Sequence, residues 1–208
     1  MYGRIGHVVP GGGGLKGQLS VSQYRAIDLS LFAVMLMLFE TVTVTAATRW
    51  FPGEAYTVSV VGAVTAIVLM RWGAWGALHA VLGGLVYCLV SRAAVWQYAV
   101  YMGGNLFGLG ALLLFRVKGR ETVRGDALLS MAFGGLTLLL MQAGRALISL
   151  LFGAGAAAIG FFTTDVVSLL FTLVVVWIAR RLDGVFEDQR HYLLRVQEER
   201  EKEKGGFR

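Results

Sequence analysis

Six apolar stretches divide the chain, near residues 28–48, 57–70, 73–90, 97–115, 127–152 and 161–179. Apolar runs of this length read as helices. A helix that crosses a bilayer upright needs about 20 residues. The second stretch is short of that, and it is expected to bend or to extend through Thr57 and Ser59 toward Ala55. A soluble helical core built from six such runs needs a large polar shell, which this chain lacks. The pattern therefore predicts an all-α integral membrane protein, a six-transmembrane-helix bundle over residues 25–181 with a leader at 1–24 and a tail at 182–208.

The segments between the stretches carry their own signals. Pro10 and Gly11 to Gly14 cannot hold a helix, and no strand or GK[ST] pattern makes them a phosphate loop. The leader is therefore expected to be a flexible tail. Asp28 is a candidate N-cap for the first span. Pro52-Gly53 predicts a turn in the loop 49–56, where Trp50 and Tyr56 suit a membrane interface. Arg71-Trp72-Gly73 reads as a tight corner. Gly76, Ala77, Ala80, Gly83 and Gly84 in the third stretch, and Gly104 and Gly108 in the fourth, let neighbouring helices approach closely. The loop 153–160 is apolar and glycine-rich, and reads equally as a lid over a site or as a plain connector. Leu182, Val185, Phe186, Leu193 and Val196 sit near one face of an amphipathic cytoplasmic tail helix that ends in a charged run.

Charge adds a topology. The protein is 56% hydrophobic with a mean hydropathy of +0.65, yet its net charge is +6. If the N-terminus is cytoplasmic, every Lys and Arg but three falls on the cytoplasmic side. Arg4, Lys16 and Arg25 precede the first stretch, Arg71 follows the second, and Arg116, Lys118, Arg120 and Arg124 follow the fourth. The rest of the inside group runs from Arg180 to Arg208. Only Arg49 and Arg92 fall outside, and Arg145 lies within a span. Positive charge marks the cytoplasmic face, so both termini are expected there, in a multi-pass protein of the cell membrane. The basic excess then belongs to topology and anionic headgroups rather than to nucleic acid. Cys88 is the only cysteine, which excludes a disulfide framework and a thiolate metal cluster. No cleavable signal peptide is visible and no cofactor is expected.

Ionisable groups within a bilayer are costly and are kept for pairing or function. Arg145 and Asp165 fall at a similar depth in the outer half of adjacent spans, with Gln142 on nearly the same face as Arg145. Tyr98, Tyr101 and Asn105 descend from outside at i, i+3 and i+7, one helical face, with Trp96 above. These groups suit a ligand cavity in which Arg145 grips a carboxylate or phosphate and an aromatic ring stacks. The alternative is an Arg145–Asp165 ion pair that merely neutralises two buried charges. Glu40 and His79 complete the candidate set, each with a ligand-contact and a packing reading. No catalytic triad, HExxH, phosphate loop or paired-carboxylate spacing is present, so no enzyme activity is expected.

The sequence resembles the S component of energy-coupling factor transporters. Arg25-Ala26-Ile27-Asp28-Leu29-Ser30-Leu31-Phe32-Ala33 is similar to that family's first helix. Arg71-Trp72-Gly73-Ala74-Trp75-Gly76-Ala77, continuing to Gly83-Gly84, is similar to the start of its third. Arg180 to Gln189 resembles the end of uncharacterised S components. The resemblance covers residues 22–195 and implies a non-catalytic subunit that captures a vitamin or similar micronutrient from outside. It implies docking on a membrane T subunit carrying two cytoplasmic ATPases. The family docks through small residues on its first helix; the matching positions are Ala26, Ser30 and Ala33, with serine in place of one alanine. A stand-alone membrane carrier or channel, and a scaffold acting through its tail, are the rival readings.

Overall fold

The computed structural model describes residues 20–52, 58–182 and 185–186. The leader 1–19, residues 53–57 with Tyr56, and the tail beyond Phe186 lie outside the described residues. All regular elements among the described residues are helical.

Helix α1 (Val21–Thr45) starts earlier than its apolar stretch. Ser20 Oγ accepts the Gln23 N–H at 3.2 Å, and Gln23 Oε1 accepts the Ser20 N–H at 2.8 Å. This reciprocal cap satisfies two orphan amides and corrects the expectation that Asp28 caps the helix. Asp28 instead sits one turn and more inside, where its carboxylate accepts from Arg71 Nε at 2.9 Å, Arg71 Nη2 at 2.8 Å and Trp72 Nε1 at 2.6 Å. A π-helical turn, Ala46–Trp50, extends α1.

Helix α2 (Val61–Trp72) has only Val64 not buried among its twelve residues. At 1.5 Å per residue it is about 18 Å long, well short of a bilayer. Surrounded by protein on every side, it forms the centre of the fold, which is why its sequence is apolar all round. Gly73, at φ +62°, ends it and turns the chain back. Helix α3 (Gly76–Ser91) then runs antiparallel to α2: Gly76 packs on Leu69 and Gly83 on Val61.

Helix α4 (Val95–Tyr98) continues through a π turn (Ala99–Gly103) and a 3₁₀ stretch (Leu106–Leu112) into α5 (Leu113–Lys118). Helix α6 (Arg120–Gly125) is a short connector. Helix α7 (Ala127–Leu151) begins where the Asp126 side chain accepts the Leu129 N–H at 2.8 Å. Helices α8 (Gly155–Thr163) and α9 (Val166–Arg181) meet at a 42° bend. The stretch 153–160 was expected as a flexible loop; most of it is α8. An apolar backbone near a bilayer satisfies its amides internally, and Ala156 to Ala158 favour helix strongly enough to outweigh the glycines.

By length and composition, four helices are long and apolar enough to cross a membrane, or five if α8 and α9 form one bent span. One of the four, Val61–Ser91, doubles back at Gly73, so it consists of two antiparallel halves. Large apolar side chains such as Leu31, Leu38, Leu89, Leu113 and Leu170 face outward, as contact with lipid requires. The protein is thus an all-α membrane protein. Its core joins Ile67, Leu69 and Met70 of α2 to Phe133 of α7, Val176 of α9 and Phe186 beyond α9.

The basic side chains gather at one end and tie the helices there. Arg71 Nη1 donates to the Val185 carbonyl at 2.8 Å, fastening the chain beyond α9. Arg120 and Arg124 both donate to the Met70 carbonyl near the C-terminus of α2, where cations offset the helix dipole. Part of the charge that marks this face therefore also closes the bundle.

Candidate functional site

At the opposite end, a cavity of about 310 Å³ lies between α1, α3, α4, α7 and α8. Three breaks in helical regularity surround it. The π turn after α1 contributes Ala47 and Thr48, the π turn after α4 contributes Val100 and Tyr101, and the α8–α9 bend contributes Thr164 and Asp165. Such turns re-aim side chains and recur at functional sites.

Arg145 projects from α7 and is 4% exposed. Its Nε donates to Asn105 Oδ1 at 2.7 Å and its Nη1 to Asp165 Oδ2 at 3.2 Å. Its guanidinium lies 5.2 Å from the Tyr101 ring centroid. Nη2 makes no hydrogen bond among the described residues, and Arg145 lines the cavity. Tyr101 stacks on Tyr87 at 4.1 Å and meets Phe161 edge-on at 5.7 Å. Asn105 is fully buried behind Arg145 and donates from Nδ2 to the Ala80 carbonyl at 2.8 Å. The arginine is therefore held from two helices before any ligand arrives.

Close approach of backbones makes this possible. A Cβ on Gly104 would stand 2.6 Å from the Arg145 nitrogen, and one on Gly144 would stand 2.4 Å from the Gly104 carbonyl oxygen. The α4–α5 segment and α7 cross with almost nothing between them, at the level of Arg145 itself. Gly84 similarly admits the Tyr101 backbone.

Glu40 enters from α1. Its carboxylate accepts the Ser59 hydroxyl at 2.9 and 3.1 Å and the Val60 N–H at 2.9 Å. Val60 is the N-cap of α2 and has no side-chain cap of its own. Glu40 therefore caps α2 from another helix, its charge facing the positive end of the α2 dipole. It also lines the cavity.

Of the residues expected at a site, Arg145, Asp165, Tyr101, Trp96 and Glu40 line this cavity. Asn105 stands directly behind it. Gln142 is buried off the lining, 3% exposed. Tyr98 also lies off the lining. The i, i+3, i+7 reading assumed a regular helix, and the wider π turn between Tyr98 and Asn105 rotates Tyr98 off that face. His79 lies away from the cavity, with Nε2 3.0 Å from the Leu29 carbonyl, joining α3 to α1. Tyr87, Gln97, Phe161, Thr48 and Ser59 line the cavity and were not singled out from sequence. Gln97 and Tyr101 stand at i, i+4, so both fall on one helical face of the lining. Among the described residues, no group of three or more His, Cys, Asp or Glu stands close enough to hold a metal ion.

Comparison with protein-family models, curated proteins and solved structures finds no match to this chain. The fold and the cavity are the basis for a functional reading.

Proposed function

We propose that this protein is a substrate-capture subunit of the energy-coupling-factor type. In this reading six helical segments of the bundle, the short α2 enclosed among them, carry the chain back and forth so that both termini lie in the cytoplasm. It takes a small micronutrient into the cavity from outside. It then docks on a membrane T subunit with two cytoplasmic ATPases, which supply the energy. The observation that carries the reading is the buried Arg145, clamped by Asn105 and Asp165 and facing a cavity walled by aromatic rings in a small membrane bundle. A cavity of about 310 Å³ matches the lower range of small-molecule sites. The exposure of Ala26 and Ser30 on α1, with Ala33 half-buried beside them, leaves room for a partner helix to approach.

Co-expression with T and ATPase subunits tests the proposal. The complex is expected to co-purify, with a small molecule recoverable by mass spectrometry. Replacing Ser30 or Ala33 with Trp is expected to abolish uptake while ligand binding to the isolated protein persists. Full uptake by the purified chain alone in liposomes would overturn the reading in favour of a stand-alone carrier.

A further inference from the structure

The geometry points to a specific ligand chemistry: the cavity selects a cationic nitrogen heterocycle that carries a hydrogen-bond acceptor, and disfavours anions. This rests on the reading of the cavity as a capture site. The described lining holds two carboxylates, Glu40 and Asp165, and one cation, Arg145. An arginine that gripped an anionic ligand would need its charge available. Here Asp165 already faces Nη1 and the Asn105 oxygen occupies Nε. With the pair neutralised, Glu40 is the other carboxylate on the described lining, its oxygens held by the Ser59 hydroxyl and the Val60 N–H. An anion would enter a buried cavity lined by two carboxylates and a single arginine that is already paired, with its own desolvation opposing it.

The remaining features suit a ring cation. Tyr87, Trp96, Tyr101 and Phe161 offer aromatic surface, and ring faces attract organic cations more strongly where water is excluded. Arg145 lines the cavity, and its Nη2 has no hydrogen-bond partner among the described residues. It asks for a carbonyl or ring-nitrogen acceptor rather than a second charge. The volume corresponds to on the order of ten water molecules, room for one or two rings with short substituents.

The test is calorimetric titration of the purified full-length protein in lipid nanodiscs with three probes on one ring. 1-Methylnicotinamide is a cation with an amide acceptor, nicotinamide is its neutral counterpart, and nicotinate is an anion. The expected order is 1-methylnicotinamide tightest, at least tenfold over nicotinate. Glu40→Gln is expected to weaken the cation about tenfold while nicotinamide binding changes less than threefold, which also certifies the fold of the variant. Asp165→Asn provides a second variant, expected to bring nicotinate closer to the cation in affinity. Nicotinate binding as tightly as the cation, failure of all three at millimolar concentration, or equal loss of cation and neutral probe in Glu40→Gln would each overturn the inference. Binding by the isolated chain is independent of partner assembly, so failure here is distinguishable from failure to co-purify with T and ATPase subunits.

Discussion

Gly144→Ala is the most direct probe of how the site is built. An alanine Cβ at this position would lie 2.4 Å from the Gly104 carbonyl oxygen and 2.6 Å from the Phe107 ring, against an ordinary contact of 3.4–4 Å. The nearest atom is backbone, so no rotamer change relieves the clash. The α4–α5 segment and α7 must part by about 1 Å, a gap that forfeits a quarter to a half of the dispersion energy of the atoms facing it. Overpacking of this kind costs about 1–3 kcal/mol. For a protein of this length that corresponds to a fall in Tm of about 2–12 °C. The displacement falls beside Arg145, so its bond to Asn105, now 2.7 Å, lengthens as well. Thermal melting of the detergent-solubilised protein measures the effect, with Gly155→Ala as the control. Gly155 lies in helical conformation with its nearest neighbour at 4.0 Å, so alanine there is expected to hold or raise the Tm. A Gly144→Ala protein that melts with the wild type would refute the backbone contact, and with it the account of how Arg145 is positioned.

Asn105→Leu keeps the volume but leaves the buried Arg145 Nε without its acceptor; a loss of about 1–3 kcal/mol in stability is expected by thermal melting, and an unchanged Tm would count against the clamp. Arg71→Lys cannot reproduce the two-pronged contact with Asp28 together with the bond to the Val185 carbonyl. It is expected to lower Tm and to speed proteolysis beyond α9, whereas wild-type resistance would show that this contact is dispensable. Ser59→Ala removes a hydroxyl from Glu40 while the Val60 amide remains, so a smaller loss, about 1 kcal/mol, is expected in the same melting assay. In a Cys88→Ala background, Val95→Cys and Val117→Cys, which replace side chains 88% and 76% exposed, are expected to react with an impermeant maleimide from opposite sides of the membrane. Labelling of both from one side would refute a crossing by the α4–α5 segment.

Much of the site was legible in the sequence because charge inside an apolar run is conspicuous. Arg145 and Asp165 declared themselves by cost alone, and their meeting at 3.2 Å follows from needing each other. The small residues Gly83, Gly84 and Gly104 likewise announced close packing, and they pack closely. What misled was the assumption of regular helix. One π turn detached Tyr98 from Tyr101 and Asn105, and most of the expected loop 153–160 is helix α8, whose Ala157 and Gly160 line the cavity. His79 was an equally conspicuous polar residue, yet its partner is a backbone carbonyl on another helix. Its position in the chain carries no trace of that.

The sequence by itself determined that this protein enters a membrane as helices, which end is basic, and which buried charges demand partners. Those are consequences of transfer energies, which each residue carries with it. Only the tertiary structure decided which partners they found. Glu40 caps the helix that follows its own, Asn105 steadies an arginine forty positions away, and Asp28 binds Arg71 rather than its own helix terminus. These choices depend on where separate helices cross. Those crossings are set by glycine contacts and local helix breaks whose effect is felt through space rather than along the chain.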